Sequence, residues 1–270
     1  MNTTRLLSFF FSLALLSLTS CRKDDDSNVK INIDEEFDVQ LFEELLPGQN
    51  KLRVHVATKE NLACSNVILR HSINSTQSNI IISIDSLELN GDCDNIEATA
   101  QTNAELGEIE AGTYDIEINL ALNSITNESI TNEGEMTVSE EGYLLEMKTT
   151  HGLTMLESNL LRIPDDYFWG YIELLDSTAS NLPVQFLGAL ETYANTAELK
   201  EGYYGHFEIE ENKVVLNAAA INTDIPNGVL PFIYKLNGNE TELKNFILDF
   251  QTDQVNIAKV VMYMGDGEVL

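Results

Sequence analysis

Residues 167–171, with sequence YFWGY, form a strongly aromatic segment of the chain. Because side chains alternate between the two faces of a strand, Tyr167, Trp169 and Tyr171 are expected on one face and Phe168 on the other. A row of aromatic rings beside carboxylates can form a stacking platform for a sugar, and the same row also suits a core or a domain interface. We predict Tyr167, Trp169 and Tyr171 as candidate ligand-binding residues, with burial as the alternative.

The titratable side chains show no spacing typical of an enzyme. Asp165 and Asp166 precede the aromatic segment, but adjacent strand residues point to opposite faces and would not readily act together. Glycine-rich phosphate loops, a nucleophile elbow and a zinc-binding helix motif are absent from the sequence. The four histidines are scattered: His55, His71, His151 and His206. We therefore predict no catalytic residue and no cofactor, with a hydrolase that uses dispersed carboxylates as the alternative.

Residues 90–95, with sequence NGDCDN, place oxygen-bearing side chains close together, as in a short calcium loop. The segment lacks the glycine and the distal glutamate of the EF-hand pattern, so a solvated turn is expected and no metal is predicted. Cys93 lies in this turn, and Cys64 is the other cysteine after residue 21. In an oxidising compartment such a pair forms a disulfide, which here would close a loop of about 30 residues.

The first 21 residues have the layout of an export signal. Residues 6–18 are a largely apolar run after Arg5; the run is shorter than the roughly 20 residues that a membrane-spanning helix needs, and it suits a signal-peptide core. Residues 18–21, with sequence LTSC, resemble the lipobox of bacterial lipoproteins. The resemblance implies that residues 1–20 are removed and that Cys21 is acylated. An ordinary signal peptide with an incidental cysteine is the alternative.

Charge defines the expected partners. Residues 23–26, with sequence KDDD, resemble the signal that routes certain Gram-negative lipoproteins to the outer cell surface, with periplasmic retention as the alternative. The formal net charge of −29 repels phosphate backbones and anionic lipid, so nucleic acid is not an expected partner. The expected partners are the membrane, through the lipid on Cys21, and a glycan or cell-surface protein.

Strand signals dominate residues 31–158. Residues 113–122 alternate apolar and mainly polar side chains, which is typical of a half-buried strand. Further strands are predicted at residues 52–55, 66–71, 79–84, 134–138 and 142–147. Short strands, polar turns and one disulfide predict an immunoglobulin-like β-sandwich, although the Cys-Trp-Cys pattern of true immunoglobulin domains is absent.

Residues 159–270 have a mixed pattern. Helices are predicted at residues 182–193 and, after a cap at Asn239, along the apolar stripe of residues 243–250. Strands are predicted at residues 167–172, 203–209, 213–218, 232–236 and 257–264. The order β-α-β-β-β-α-β is close to the ferredoxin-like βαββαβ unit with one extra strand.

The predicted fold class is therefore mainly β with α+β: an N-terminal immunoglobulin-like β-sandwich followed by a small ferredoxin-like α+β domain. The predicted segments are a signal peptide (1–20), an acylated cysteine with a charged tether (21–30), a sandwich (31–158) and an α+β domain (159–270). We expect a lipid-anchored cell-envelope protein, displayed on the outer surface, that acts as a non-enzymatic binding or adhesion module for glycan or protein. The alternatives are an envelope hydrolase and a structural or anchor subunit of a surface assembly.

Overall fold

The computed structural model describes residues 28–29, 36–123, 128–211, 213–217, 226 and 228–270. Cys21 and the acidic signal at residues 23–26 lie outside this part of the chain. Among the described residues, no helix has both the length and the apolar character needed to cross a membrane.

The N-terminal part consists of strands. In chain order they are β1 (Asn28–Val29), β2 (Phe37–Leu46), β3 (Gln49–Thr58), β4 (Val67–Ser75), β5 (Asn79–Leu89), β6 (Gln101–Gly107), β7 (Gly112–Asn123), β8 (Glu128–Val138), β9 (Gly142–Met147), β10 (Leu153–Glu157) and β11 (Asn159–Leu161). One sheet has the order β1-β5-β7-β8-β9-β11, with β4 also paired to β5, and the other has the order β10-β2-β3-β6. Strand β11 pairs with β9, although its residues fall in the range predicted for the second domain.

Alternating apolar residues build the core between these two sheets. Val39 and Leu41 of β2, Val54 of β3, Ile82 of β5 and Ile118 of β7 all pack in one buried cluster. The pairs β5–β7 and β10–β2 are parallel, while the other pairs of these sheets are antiparallel. The structure confirms the predicted mainly β architecture and its sandwich.

Strand β2 was not among the predicted strands. Its second half places Leu41, Phe42, Leu45 and Leu46 at a spacing that a helix would also use. Pairing with β3 over the whole length of β2 makes the segment a strand and buries alternate residues. The local pattern was ambiguous, and the sheet partner decided it.

The C-terminal part has the expected split βαββαβ arrangement. Its elements are β12 (Tyr167–Leu174), a 3-10 turn (Ser177–Ala179), α1 (Leu182–Leu190), β13 (Ala194–Thr196), β14 (Gly202–Tyr203), β15 (Phe207–Glu210), β16 (Lys213–Leu216), β17 (Leu230–Leu236), α2 (Glu240–Asp253) and β18 (Ala258–Met264). The antiparallel sheet order β13-β17-β12-β18 is that of a ferredoxin-like unit built from β12-α1-β13 and β17-α2-β18.

Both strands predicted at residues 203–209 and 213–218 belong to a small inserted sheet, and β13, the second strand of the ferredoxin-like unit, was not predicted. Strands β14, β15 and β16 pair with one another between β13 and β17 in the chain. The predicted strand at residues 203–209 divides into β14 and β15, because Gly205 adopts a φ of +80° that breaks the extended run. The cap at Asn239 is confirmed, since its side chain accepts a hydrogen bond from the Thr241 amide at 2.9 Å.

Candidate functional site

The aromatic strand β12 lies between two buried layers. Phe168 and Ile172 pack with the two helices, and Tyr167 and Trp169 pack on the other face with Phe207 of the inserted sheet. The predicted division of the strand into two faces is therefore confirmed.

The three candidate ligand-binding side chains of β12 are buried in the described structure, so they do not form an open platform. Exposure is 6% for Tyr167, 1% for Trp169 and 0% for Tyr171. The inserted sheet and the end of β2 pack against Tyr167 and Trp169. The structure thus shows the burial that the sequence left open as the alternative. Tyr167 lines one cavity at the junction, Trp169 lines a second, and Tyr171 lines neither.

The larger cavity is a cleft of about 880 Å³ where the sandwich meets the α+β domain. Its sandwich wall includes Glu43 of β2 and Tyr143 of β9, and the connection after β11 contributes Arg162 and Asp165. Tyr167, Tyr204 and Asp266 are among the residues that close it from the other side. Its size lies within the range of about 300 to 1,000 Å³ that is typical of ligand sites.

Three side chains form a hydrogen-bonded group in this cleft. The Tyr143 hydroxyl donates to Glu43 Oε1 at 2.7 Å, and Arg162 Nη2 donates to the Tyr143 oxygen at 2.7 Å. Arg162 Nε lies 3.5 Å from Glu43 Oε1, and the guanidinium carbon lies 4.7 Å from the Tyr143 ring centroid. The group therefore connects both sheets of the sandwich to the segment that leads into β12.

Glu43 belongs to this group because of its place in β2. Phe37, Val39, Leu41 and Leu45 occupy the buried positions of the strand, and Glu43 occupies the one remaining buried position with 5% exposure. Burial raises the pKa of the Glu43 carboxyl above its ordinary value, while the Tyr143 hydrogen bond and the Arg162 charge oppose the rise. Burial, followed by the neighbouring Glu43 charge, also raises the pKa of Tyr143.

The rim of the cleft is acidic. The carboxylates that line the cleft are Glu43, Glu108, Glu140, Glu141, Asp165, Glu198 and Asp266, and its cationic side chains are Arg162 and Lys200. Lys200 Nζ lies 2.6 Å from Glu141 Oε2, and within the described part of the chain Glu108, Glu140 and Glu198 make no ion pair. The cleft therefore repels anionic ligands and favours neutral or positively charged ones.

The other acids and histidines singled out in the sequence lie as follows. Asp165 and Asp166 lie in the turn before β12; Asp165 lines the cleft, whereas Asp166 pairs with Lys235 at 3.2 Å. His55 Nδ1 contacts Asn103 Oδ1 and His71 Nδ1 contacts Thr102 Oγ1, both at 2.7 Å. His151 is exposed, whereas His206 is buried at the junction.

The predicted disulfide between Cys64 and Cys93 is confirmed. In the adjoining turn, Asp94 accepts hydrogen bonds from the Ser65 amide and hydroxyl and from the Ile96 amide. The Ser65 hydroxyl contributes most to a lowered pKa of Asp94. Its carboxylate is thus used within the turn, as expected for a solvated turn beside the disulfide.

Among the described residues, one cluster of side chains has the spacing of a metal site: Glu240, Asp266 and Glu268. Lys244 contacts both Glu240 and Glu268, so an ammonium group already compensates this negative charge.

Sequence reasoning did not identify Glu43, Tyr143 or Arg162. A signal for Glu43 was present, since it interrupts an alternating apolar face with a carboxylate. Tyr143 lies in a correctly predicted strand, but nothing local indicates that its partner is 100 residues away.

Comparison of the chain with protein-family models, with curated proteins and with solved structures gave no match.

Proposed function

We propose that this chain is a lipid-anchored cell-envelope protein, displayed on the outer surface, that binds a glycan or protein without catalysing a reaction. The cleft between the sandwich and the α+β domain is the proposed binding site. The observation that carries the proposal is a concave junction with a buried hydrogen-bonded group and an acidic rim, whose carboxylates at positions 108, 140 and 198 make no ion pair with any residue that the structure describes. The lipobox resemblance at residues 18–21 supports the anchor.

The chemistry of the lining narrows the class of partner. Carboxylate oxygens accept hydrogen bonds from sugar hydroxyls and from ammonium or guanidinium groups, and the Arg162 guanidinium can donate. The excess of acids over bases opposes sulfated, phosphorylated or otherwise acidic partners. We therefore assign the cleft to a neutral or basic segment of a glycan or protein.

The location is tested by protease treatment of intact cells, with lysed cells as the control. We expect the protein to be digested on intact cells, and we expect Cys21→Ala to move it out of the membrane fraction because the lipid is lost. Protection of the wild-type protein until the cells are lysed would contradict surface display. An unchanged membrane fraction for Cys21→Ala would contradict the lipid anchor.

The binding site is tested by neutralising the rim. The triple variant Glu108→Gln, Glu140→Gln and Glu198→Gln is compared with wild type on a glycan array and a panel of lysine-rich and arginine-rich peptides. We expect association with a retained lysine-rich or arginine-rich peptide to slow by about tenfold, because the field that attracts a cation to the cleft is reduced.

The matched control is the triple variant Glu97→Gln, Glu146→Gln and Asp253→Asn. These three exposed acids do not line the cleft, and their replacement changes the net charge by the same amount. Equal slowing in both triple variants would place binding outside the cleft. Retention of no glycan or peptide by the wild-type protein would contradict the binding proposal.

A hydrolase is the second candidate function, because a buried carboxyl with a raised pKa lies in the same cleft as Asp165. Such a carboxyl suits a general acid. Against this role, Glu43 accepts a hydrogen bond from Tyr143 and lies beside Arg162, which favours the ionised form. Hydrolysis of an array glycan by wild type that is lost in Glu43→Gln would favour the enzyme.

A further inference from the structure

A second cavity, of about 470 Å³, lies beside the cleft and is bounded by the outward face of β2. Phe42 and Glu44 line it from β2, at positions of the strand that alternate with the core-facing ones. Trp169, His206 and Tyr263 are among the residues that line it from the C-terminal part. The cavity therefore lies between the sandwich and the α+β domain.

Several residues that line this cavity carry a buried polar atom without a hydrogen-bond partner among the described residues, and Trp169 and His206 are the two of them on its C-terminal wall whose rings lie against each other. Trp169 Nε1 and His206 Nδ1 lack a hydrogen-bond partner among the described residues, and the two side chains are 1% and 8% exposed. Their ring centroids are 5.4 Å apart. Buried donors and acceptors normally have a hydrogen-bond partner. Two such atoms without one, on residues that line the same cavity, therefore indicate that these atoms bind a ligand.

The roles of the two atoms follow from their contacts. His206 Nε2 lies 2.8 Å from the Glu43 carbonyl oxygen, which can only accept, so Nε2 carries the hydrogen. Burial lowers the pKa of His206, which keeps the ring neutral and leaves Nδ1 as an acceptor. Trp169 Nε1 is always a donor. Trp169 and His206 together thus offer one donor and one acceptor to the cavity, which is the complement of hydroxyl groups.

Charges on the cavity wall are compensated within the protein. Arg53 Nη2 contacts Glu44 Oε2 at 2.5 Å and Glu105 Oε2 at 2.9 Å. Glu268 Oε2 lies 2.5 Å from Lys244 Nζ. Within the described residues, each charged side chain that lines the cavity is therefore in an ion pair, and Phe42 and Tyr263 add apolar surface. A charged occupant would lose hydration without gaining a counter-ion.

We propose that this cavity binds a neutral small molecule with several hydroxyl groups, of the size of a monosaccharide. One hydroxyl oxygen accepts from Trp169 Nε1, and one hydroxyl donates to His206 Nδ1. The volume lies within the range of about 300 to 1,000 Å³ that is typical of small-molecule sites. This site is separate from the cleft proposed for the glycan or protein partner, since neither Trp169 nor His206 lines that cleft.

The test uses the fluorescence of Trp169, which is the single tryptophan of the chain. The full chain, purified in a zwitterionic detergent without a sugar headgroup, is titrated with D-glucose, D-galactose, N-acetyl-D-glucosamine, myo-inositol and glycerol. We expect at least one of these probes to shift or quench the emission in a saturable way, and saturation-transfer NMR to detect the same probe bound. Absence of both signals for all five probes would overturn the proposal.

Two variants locate the binding. We expect Trp169→Phe, measured by NMR, to weaken the affinity by about tenfold, which is the loss of one neutral hydrogen bond. Tyr171→Phe is the matched control, because Tyr171 lies two residues further on β12, is fully buried and also carries an unpartnered hydroxyl among the described residues, yet does not line the cavity. We expect its affinity to equal that of wild type.

His206→Gln provides a second test that leaves the tryptophan reporter in place. Glutamine can still donate to the Glu43 carbonyl but lacks the Nδ1 acceptor position, so we expect a similar loss of affinity. Wild-type affinity in both Trp169→Phe and His206→Gln would overturn the proposal. The triple variant Glu108→Gln, Glu140→Gln and Glu198→Gln of the cleft is expected to bind these probes with wild-type affinity. The proposals for the cavity and for the cleft can therefore be contradicted independently of each other.

Discussion

Glu43→Ala is expected to lower the free energy of unfolding by about 3 to 5 kcal/mol, because removing one partner of a buried ionic group leaves the others unsatisfied. The Tyr143 hydroxyl would lose its acceptor, and Arg162 would lose a carboxylate 3.5 Å from its Nε. Since these residues connect both sheets to the segment before β12, the junction should loosen as well. Urea unfolding followed by circular dichroism measures the loss.

The neighbouring residue supplies the control. Glu44→Ala removes a carboxylate from the outward face of the same strand, where its side chain is 32% exposed and pairs with Arg53. A partly exposed ion pair contributes about 1 kcal/mol or less, so the expected loss is small. If Glu43→Ala cost no more than Glu44→Ala, the buried group would have no special role in stability. Glu43→Gln should lie between the two, because the amide oxygen can still accept from Tyr143.

The same group has a pH signature. Burial raises the folded-state pKa of Glu43 above its ordinary value of 4.5. Below pH 4.5, Glu43 is protonated in both the folded and the unfolded chain. Between the unfolded-state pKa of 4.5 and the higher folded-state pKa, the unfolded chain loses the proton first, which stabilises the unfolded chain. The stability of wild type relative to Glu43→Gln should therefore fall as the pH rises through this window. A difference that does not change with pH would show that Glu43 titrates normally.

Gly170→Ala is expected to destabilise the α+β domain by about 4 kcal/mol, at the upper end of single-substitution effects. A Cβ atom at residue 170 would lie 2.0 Å from the Val261 carbonyl oxygen and 3.0 Å from Met262 Cα. Both obstacles are backbone of β18, and β12 is also paired on its other side with β17. The strand cannot move away from one neighbour without disturbing the other.

Gly188→Ala is the matched control in the same domain and should have the opposite sign. Gly188 lies in α1, and a Cβ atom there would meet nothing within 4 Å. Alanine in place of glycine inside a helix stabilises it by about 1 kcal/mol. Thermal unfolding of both variants measures the two effects. A Gly170→Ala protein as stable as wild type would show that β12 and β18 can separate without loss.

The local pattern of the sequence was sufficient to predict several elements. The period-two alternation at residues 113–122 predicted most of β7, and the stripe at residues 243–250 with Asn239 predicted α2. The parity of Cys64 and Cys93 predicted the disulfide. Each of these features depends on residues close in the chain or on the pairing of a rare residue type. Such patterns can be recognised in the sequence without knowing which other strands or helices the segment contacts.

The junction depended on contacts that no local pattern contains. Alternation placed Tyr167 and Trp169 on one face of β12, but only the packing of the inserted sheet and the end of β2 showed that this face is buried. Likewise, the sequence shows Glu43 only as one of many acids, because its partners Tyr143 of β9 and Arg162 of the connection after β11 are distant in the chain. A strand's own period determines which side chains share a face. What covers that face, and which polar atoms remain for a ligand, is decided by elements that are distant in sequence and close only in the folded protein.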